Sequence, residues 1–350
     1  MMSNETQSNG SGEPSQGNDN DAVREGRADN GVERWEVREG ESKTFDFDDV
    51  RKLRVAIAKG RIDVIGSDEP GCRLEVSNVR ELPVEVVCDG DKLIVRDFDE
   101  RQPISIRASG PTGVFKVLNW LFGRSGNNAA GRSGRSSSWV GRGVSSRVNA
   151  DVSLLVPRDV AARIVSVEGD ALIGGLTNGA TLNTVSGTLL ADGVSGSLRM
   201  HTVSGKIEAR NHHGSVDADS VSGDVIVSGD CTTITIDAVS GSLYADMIGS
   251  PQSIQVHSVS GSAFVRLDPR AHLRCHAEAL SGRAEISGRR FGIRHGLDYE
   301  DGPRQEPPTT VRFSAVRGKL RIARRADATD GTAAAANAAD ADNAGVAGRA

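Results

Sequence analysis

Apolar and polar residues alternate through VSGSLRMHTVSGKIEAR, positions 194–210, and the alternation restarts after nine residues. Gly187, Gly196, Gly205, Gly214 and Gly223 stand nine apart. Two positions after each comes an aliphatic residue: Leu189, Leu198, Ile207, Val216 and Val225. Four positions after come Ala191, Met200, Ala209, Ala218 and Val227. Seven positions after come Val194, Val203, His212 and Val221, then Asp230, where the rule breaks. Polar residues fill the gaps, among them Arg199, His201, Glu208, Arg210, Asp217 and Asp219. A period of two is that of a strand with one buried face, whereas a helix needs spacings of three and four. Glycine suits each bend because it reaches positive φ and lets chains approach closely. Serine bonds locally to turn backbone, and Val and Ile suit half-buried pleats.

Nine residues therefore make one strand and one bend. One such strand cannot bury its face alone, and repeats of fixed period solve this by stacking. After Gly223 the glycine marks widen to Gly241, Gly261 and Gly282, with gaps of 18, 20 and 21 residues. The simplest reading is an all-β fold, a flat β-solenoid or β-helix-like stack of two-strand coils. Small Ala at inner positions fits a thin core between two close sheets. A meander of antiparallel hairpins has the same periodicity; the direction of strand pairing separates the two.

The pattern extends beyond the clear repeats. In VRKLRVAIAKGRIDVIG, Gly60 is followed by Ile62 and Val64 at the same offsets. LEVSNV, PVEVVCDGDKLIVRDF and ISIRASG continue it, with Asp89-Gly90 as a hairpin turn. VNADVSLLVP is a strand ended by Pro157, FGIRHGLDYEDGPRQEPPTT a loop, and VRFSAVRGKLRIARR one final coil through Gly318, Leu320 and Ile322. Residues 1–33 and 326–350 read as disordered tails, and 34–325 as the solenoid. Within it, 111–148 breaks the pattern as a flexible basic insertion. It opens with an apolar piece containing Phe115, Trp120, Leu121 and Phe122. It carries Lys116, Arg124, Arg132, Arg135, Arg142 and Arg147 and no acid.

Aromatics are only 4% of the 350 residues and glycines number 41, which fits stacked short strands better than a globular enzyme core. The net charge of -5 gives no global case for nucleic acid. Cys72, Cys88, Cys231 and Cys275 form no Cys-x-x-Cys and read as reduced residues. No signal peptide and no 18-residue apolar stretch is legible, so a cytoplasmic location is expected, with peripheral membrane association through the insertion.

The phrases VSGTLLA, VSGSLRM, VSGKIEA, VSGDVIV, VSGSLYA and VSGSAFV carry a family resemblance. With LRVAIAKGRIDVIG and VSLLVPRDVAARIVSVEGDALIGG before them, the chain resembles the DUF4097 family over about residues 45–325. That family is provisionally described as bacterial adhesins with Val-Ser-Gly repeats in a β-solenoid. The resemblance implies an adhesin-like or envelope-associated scaffold. It supplies no catalytic set to carry over, and it does not cover the basic insertion.

Candidate chemistry is sparse. His201 and His212 are eleven apart, which is no ligand spacing, and His212 takes an inner-row position, either as a capped core histidine or as a defect in the row. Asp217, Asp219 and Asp224 near a bend raise calcium, but the Gly-Gly-x-Gly-x-Asp repeat of calcium solenoids is absent. No metal, cofactor or catalytic residue is assigned. The expected function is a non-catalytic scaffold or interaction protein. One alternative is a carbohydrate-active hydrolase using a face of the stack, which needs a carboxylate pair at a set separation. Another is nucleic-acid binding through the basic insertion. The insertion is assigned to lid packing or to docking on a protein partner or an anionic membrane, an apolar start followed by cations being the composition such docking uses.

Overall fold

The computed structural model describes residues 31–97, 148–304 and 307–325. Every described element is a strand. The repeats form β8 (Ala161–Gly174), β9 (Ala180–Asp192), β10 (Ser195–Ser222), β11 (Val225–Met247) and β12 (Ser253–Leu267), paired in parallel. Leu198 of β10 lies beside Ala180, and Ile207 beside Leu189, each 18 residues earlier. Parallel pairing at this offset rules out antiparallel hairpins for the repeats. Two nine-residue units make one coil, and the strand units stack with like positions in register.

The inner rows close the core. Leu189, Leu198, Ile207, Val216 and Val225 are buried, as are Ala191, Met200, Ala209, Ala218 and Val227. The seventh-position rule holds on one corner only. Val194 and His212 are buried, but Val203 and Val221 are half-buried. The two corners differ: the repeated Val-Ser-Gly bend sets its valine at the rim of the core, and the intervening bend turns its residue inward.

Gly60, Gly169, Gly187, Gly205, Gly223, Gly241 and Gly261 form one corner column, and Gly179, Gly196 and Gly214 lie along the other. Close approach is the shared reason for the first column. A Cβ on Gly261 would lie 2.5 Å from the carbonyl oxygen of Gly241, and one on Gly282 would lie 2.3 Å from that of Gly318. Two of the Val-Ser-Gly serines reach along the stack rather than bonding within their own turn. Ser186 Oγ donates to the Val167 carbonyl at 3.4 Å and Ser240 Oγ to Val221 at 3.2 Å, each on the preceding coil.

The stack ends differently from its middle. β3 (Lys52–Ser67) pairs in parallel with β8 and bends at Gly60, so its two halves continue the two faces. Its first half pairs with β6 (Lys92–Asp97), which joins β5 (Val84–Asp89) in the Asp89-Gly90 hairpin; β5 then pairs β1 (Val32–Val37). Its second half pairs with β7 (Asn149–Pro157), followed by β4 (Cys72–Arg80) and β2 (Lys43–Phe47), again antiparallel. At the other end β16 (Thr309–Arg324) is last in sequence but not in space. It lies between β12 and β13 (Leu273–Ile286), parallel to both. The expected loop between them is partly strand: β14 (Arg289–Gly292) and β15 (Leu297–Asp301) pair antiparallel with the outer edge of β13. Those two strands occupy the outer edge of β13, so β16 pairs its inner edge.

Candidate functional site

Strand alternation fixes which side chains leave the core. On the first face of each coil Leu198 and Met200 point in, so Arg199 and His201 point out. The register then sets outward residues of successive coils side by side. Asn183 lies beside His201, Asp219 beside Asp237, and Asp237 beside His257. His201 Nδ1 is 2.6 Å from Asp219 Oδ2, and both are buried. The result is a straight row, His201, Asp219, Asp237, His257. Beside it runs a second row in which Arg199 lies 3.9 Å from Asp217.

Three carboxylates within two coils repel one another and lose water. Burial, then the charge of Asp219, pushes the Asp237 carboxyl up to about 6; the charge of His257 opposes this. Burial and Asp219 raise Asp217 in the same way. Asp237 therefore keeps its proton until the pH rises through about 6. Because the folded-state value of Asp237 exceeds the unfolded one, its contribution favours folding below about pH 4 and is lost as pH rises through about 6. Asp237→Asn is expected to raise stability at pH 7.5 by about 1 kcal/mol, a value discounted for partial solvent exposure, and to change little at pH 4. Melting curves of both proteins at the two pH values check this.

This row was not recognised from the sequence, although the signal is simple: add 18 to His201, 18 again, then 20. Asp217, Asp219 and Asp224 do not converge. Asp224 sits at the start of a second-face strand, and its Oδ1 accepts the Ser242 backbone N–H one coil on at 2.9 Å, as Asp170 does for Thr188 at 2.7 Å. Those aspartates satisfy corner donors that would otherwise lack partners. His212 is fully buried, with Nε2 3.2 Å from the Ser215 carbonyl, and burial lowers its pKa. It is a capped core histidine. Cys72, Cys88, Cys231 and Cys275 are free thiols, and burial pushes Cys72, Cys231 and Cys275 up to about 12.

The second face carries a different outward row. Tyr244 and Phe264 are cross-strand neighbours with ring centroids 6.2 Å apart, and the Arg321 guanidinium lies 5.6 Å from the centre of the Phe264 ring. Nearby, Arg266 and Arg325 both pair with Asp246.

Of the residues singled out in sequence, the turn glycines occupy the two corners. Gly187, Gly196, Gly205, Gly214, Gly223 and Gly241 adopt positive φ, while Gly261 and Gly282 fall outside that set. The docking candidates Phe115, Lys116, Trp120, Leu121, Phe122, Arg124, Arg132, Arg135, Arg142 and Arg147 lie outside the described residues. Among the described residues no helix is long and apolar enough to cross a membrane, and no group of three or more His, Cys, Asp or Glu side chains is placed to hold a metal ion.

Residues 143–285 match the model of a family described as Toastrack DUF4097. No curated protein matches the chain. Among solved structures, the chain is similar to a "putative adhesin" from Bacteroides fragilis NCTC 9343, at 9% identity and TM-score 0.36, over 82% of this chain and 99% of that one. It is also similar to a "putative cell adhesion protein" from Clostridium sporogenes ATCC 15579, at 13% identity and TM-score 0.26, over 81% and 100%. A "putative adhesin" from Parabacteroides distasonis ATCC 8503 matches at 12% identity and TM-score 0.26, over 81% and 98%.

Proposed function

We propose that this protein is a non-catalytic scaffold of the DUF4097 kind, a β-solenoid that presents its outer faces to a partner. One observation carries the reading. Like positions line up in straight outward rows along the stack, and short antiparallel strands lie at both ends. A parallel stack with bare ends would grow by edge pairing. Short antiparallel end strands blunt that growth, so this stack offers its faces and corners. The basic segment 111–148 adds a contact for a protein partner or an anionic membrane in a cytoplasmic, peripherally attached molecule. Nucleic acid is the lesser partner for that segment.

A second reading has a specific observation behind it. Asp219 and Asp237 are adjacent outward carboxylates, and the Asp237 carboxyl is pushed up to about 6; a raised carboxyl beside a second one is what a glycoside hydrolase uses for its acid. The two readings separate in one assay: incubation of the full chain with a panel of polysaccharides, measuring newly formed reducing ends. The scaffold reading expects none above background. Release that disappears in Asp237→Asn would establish the hydrolase instead.

The segment has its own test. Deleting residues 111–147, which spares the buried Val148, is expected to lower co-sedimentation with anionic vesicles at least tenfold while leaving the melting temperature within a few degrees. Unchanged binding would remove the segment from the docking account.

A further inference from the structure

We infer that the corner formed by β12, β16 and β13 is a docking edge for an anionic lipid bilayer. This deepens the scaffold reading and rests on it, but uses residues apart from the 111–148 segment. The corner begins with the valine of Val-Ser-Gly. Through Val167, Val185, Val203, Val221 and Val239 that position is half-buried. At the far end it opens: Val259 is 44% exposed, Val316 51% and Leu280 70%. The register places these three on neighbouring strands, because Ser260 and Ser281 both lie beside Arg317. They form one protruding aliphatic ridge about 10 Å long.

Cations outnumber acids around the ridge. Arg317 follows Val316 directly, and Lys319 lies directly beside Arg283 across the β13–β16 pair. Like charges directly opposite on neighbouring strands destabilise a sheet. Yet Arg283, Arg317 and Lys319 make no ion pair among the described residues. Of the acids on β13, Glu285 is paired with Arg290 and Arg321, and Glu278 accepts from the Ser314 hydroxyl and keeps its charge, leaving three cations to one uncompensated acid around the ridge. A chain of net charge -5 thus concentrates positive charge beside Leu280, the most exposed large aliphatic side chain among the described residues.

That combination selects the occupant. A solvated polyanion such as RNA or an acidic polysaccharide would meet the cations but leaves no apolar layer for Leu280 and Val316. A bilayer surface takes both, with aliphatic groups at the headgroup–acyl boundary and cations on anionic headgroups.

The test is co-sedimentation of the full chain with vesicles of phosphatidylcholine alone and with added phosphatidylglycerol. Binding is expected only with phosphatidylglycerol, and falls as salt is raised. Each near-surface cation multiplies partitioning about fivefold, so Arg317→Ser with Lys319→Ser should weaken it about 25-fold. Leu280→Ser with Val316→Ser should weaken it about tenfold or more, with unchanged melting because both side chains are exposed. Arg317→Glu with Lys319→Glu provides a second variant whose effect comes through charge. Wild-type binding by all these variants would overturn the inference. So would RNA binding that needs Arg317 in a chain that ignores vesicles, or a dimer that Leu280→Ser dissociates. Vesicle binding lost only on deleting 111–147 would reject the ridge and leave the scaffold reading intact. Polysaccharide turnover would reject the scaffold reading without touching the ridge.

Discussion

Gly223→Ala is expected to destabilise the protein by about 3 kcal/mol or more and to prevent folding in a marginal background. Two effects add at this residue. Its φ is 137°, a region L side chains avoid. A Cβ there would also lie 1.7 Å from the Gly205 carbonyl oxygen of the preceding coil. Neither partner can yield cheaply, because both are backbone held in a parallel ladder. Gly288→Ala makes the comparison. Its φ is 78°, but nothing lies within 4 Å of its Cβ, so only conformational strain of about 1–2 kcal/mol is expected. Urea unfolding of both variants measures the difference. Equal losses at the two sites would mean that close approach of the coils contributes nothing.

Phe313→Ala is expected to cost about 3–5 kcal/mol. Phe313 is the largest of the fully buried side chains and lies between Val256 and Ala277 on neighbouring strands. Its ring fits because Gly318, five residues on, has no side chain: a Cβ there would be 2.9 Å from Phe313 Cζ. Removing the ring leaves a cavity in the one strand that joins β12 to β13. Val316→Ala, three residues along the same strand but 51% exposed, is expected to change stability by less than about 0.5 kcal/mol. Thermal or denaturant melting of the pair checks both values. A small loss for Phe313→Ala would imply that β16 is not wedged inside the stack.

The core of the fold was legible because its determinants are local. Leu198, Met200, Ile207 and Ala209 alternate with charged neighbours, and the nine-residue glycine spacing gives two units per coil. The order of the last strands was not legible. VRFSAVRGKLRIARR obeys the repeat rule equally well as a terminal coil or as one inserted between two others. The choice is made by β14 and β15, short strands inside what reads as a loop, which claim the outer edge of β13. The titratable row stayed hidden for another reason. His201, Asp219, Asp237 and His257 share no motif in sequence; only the coil period, applied to outward rather than inward positions, brings them together. The aliphatic ridge is likewise invisible as sequence, since Val259 and Val203 sit in the same phrase and differ only in exposure.

Every functional row described above depends on chain positions about 18 apart being neighbours. Engineered cysteine pairs test that most directly. Thr181 and Arg199 lie side by side in the stack, within the Cα separation a disulfide needs. Asp192 and Arg199 lie on opposite faces, but antiparallel hairpins would place them together. Three of the native cysteines are buried and will not compete. Under mild oxidation of the folded protein, Thr181→Cys with Arg199→Cys is expected to form an intramolecular disulfide, and Asp192→Cys with Arg199→Cys to stay reduced. The reverse outcome would contradict the stacked coils and every row read from them.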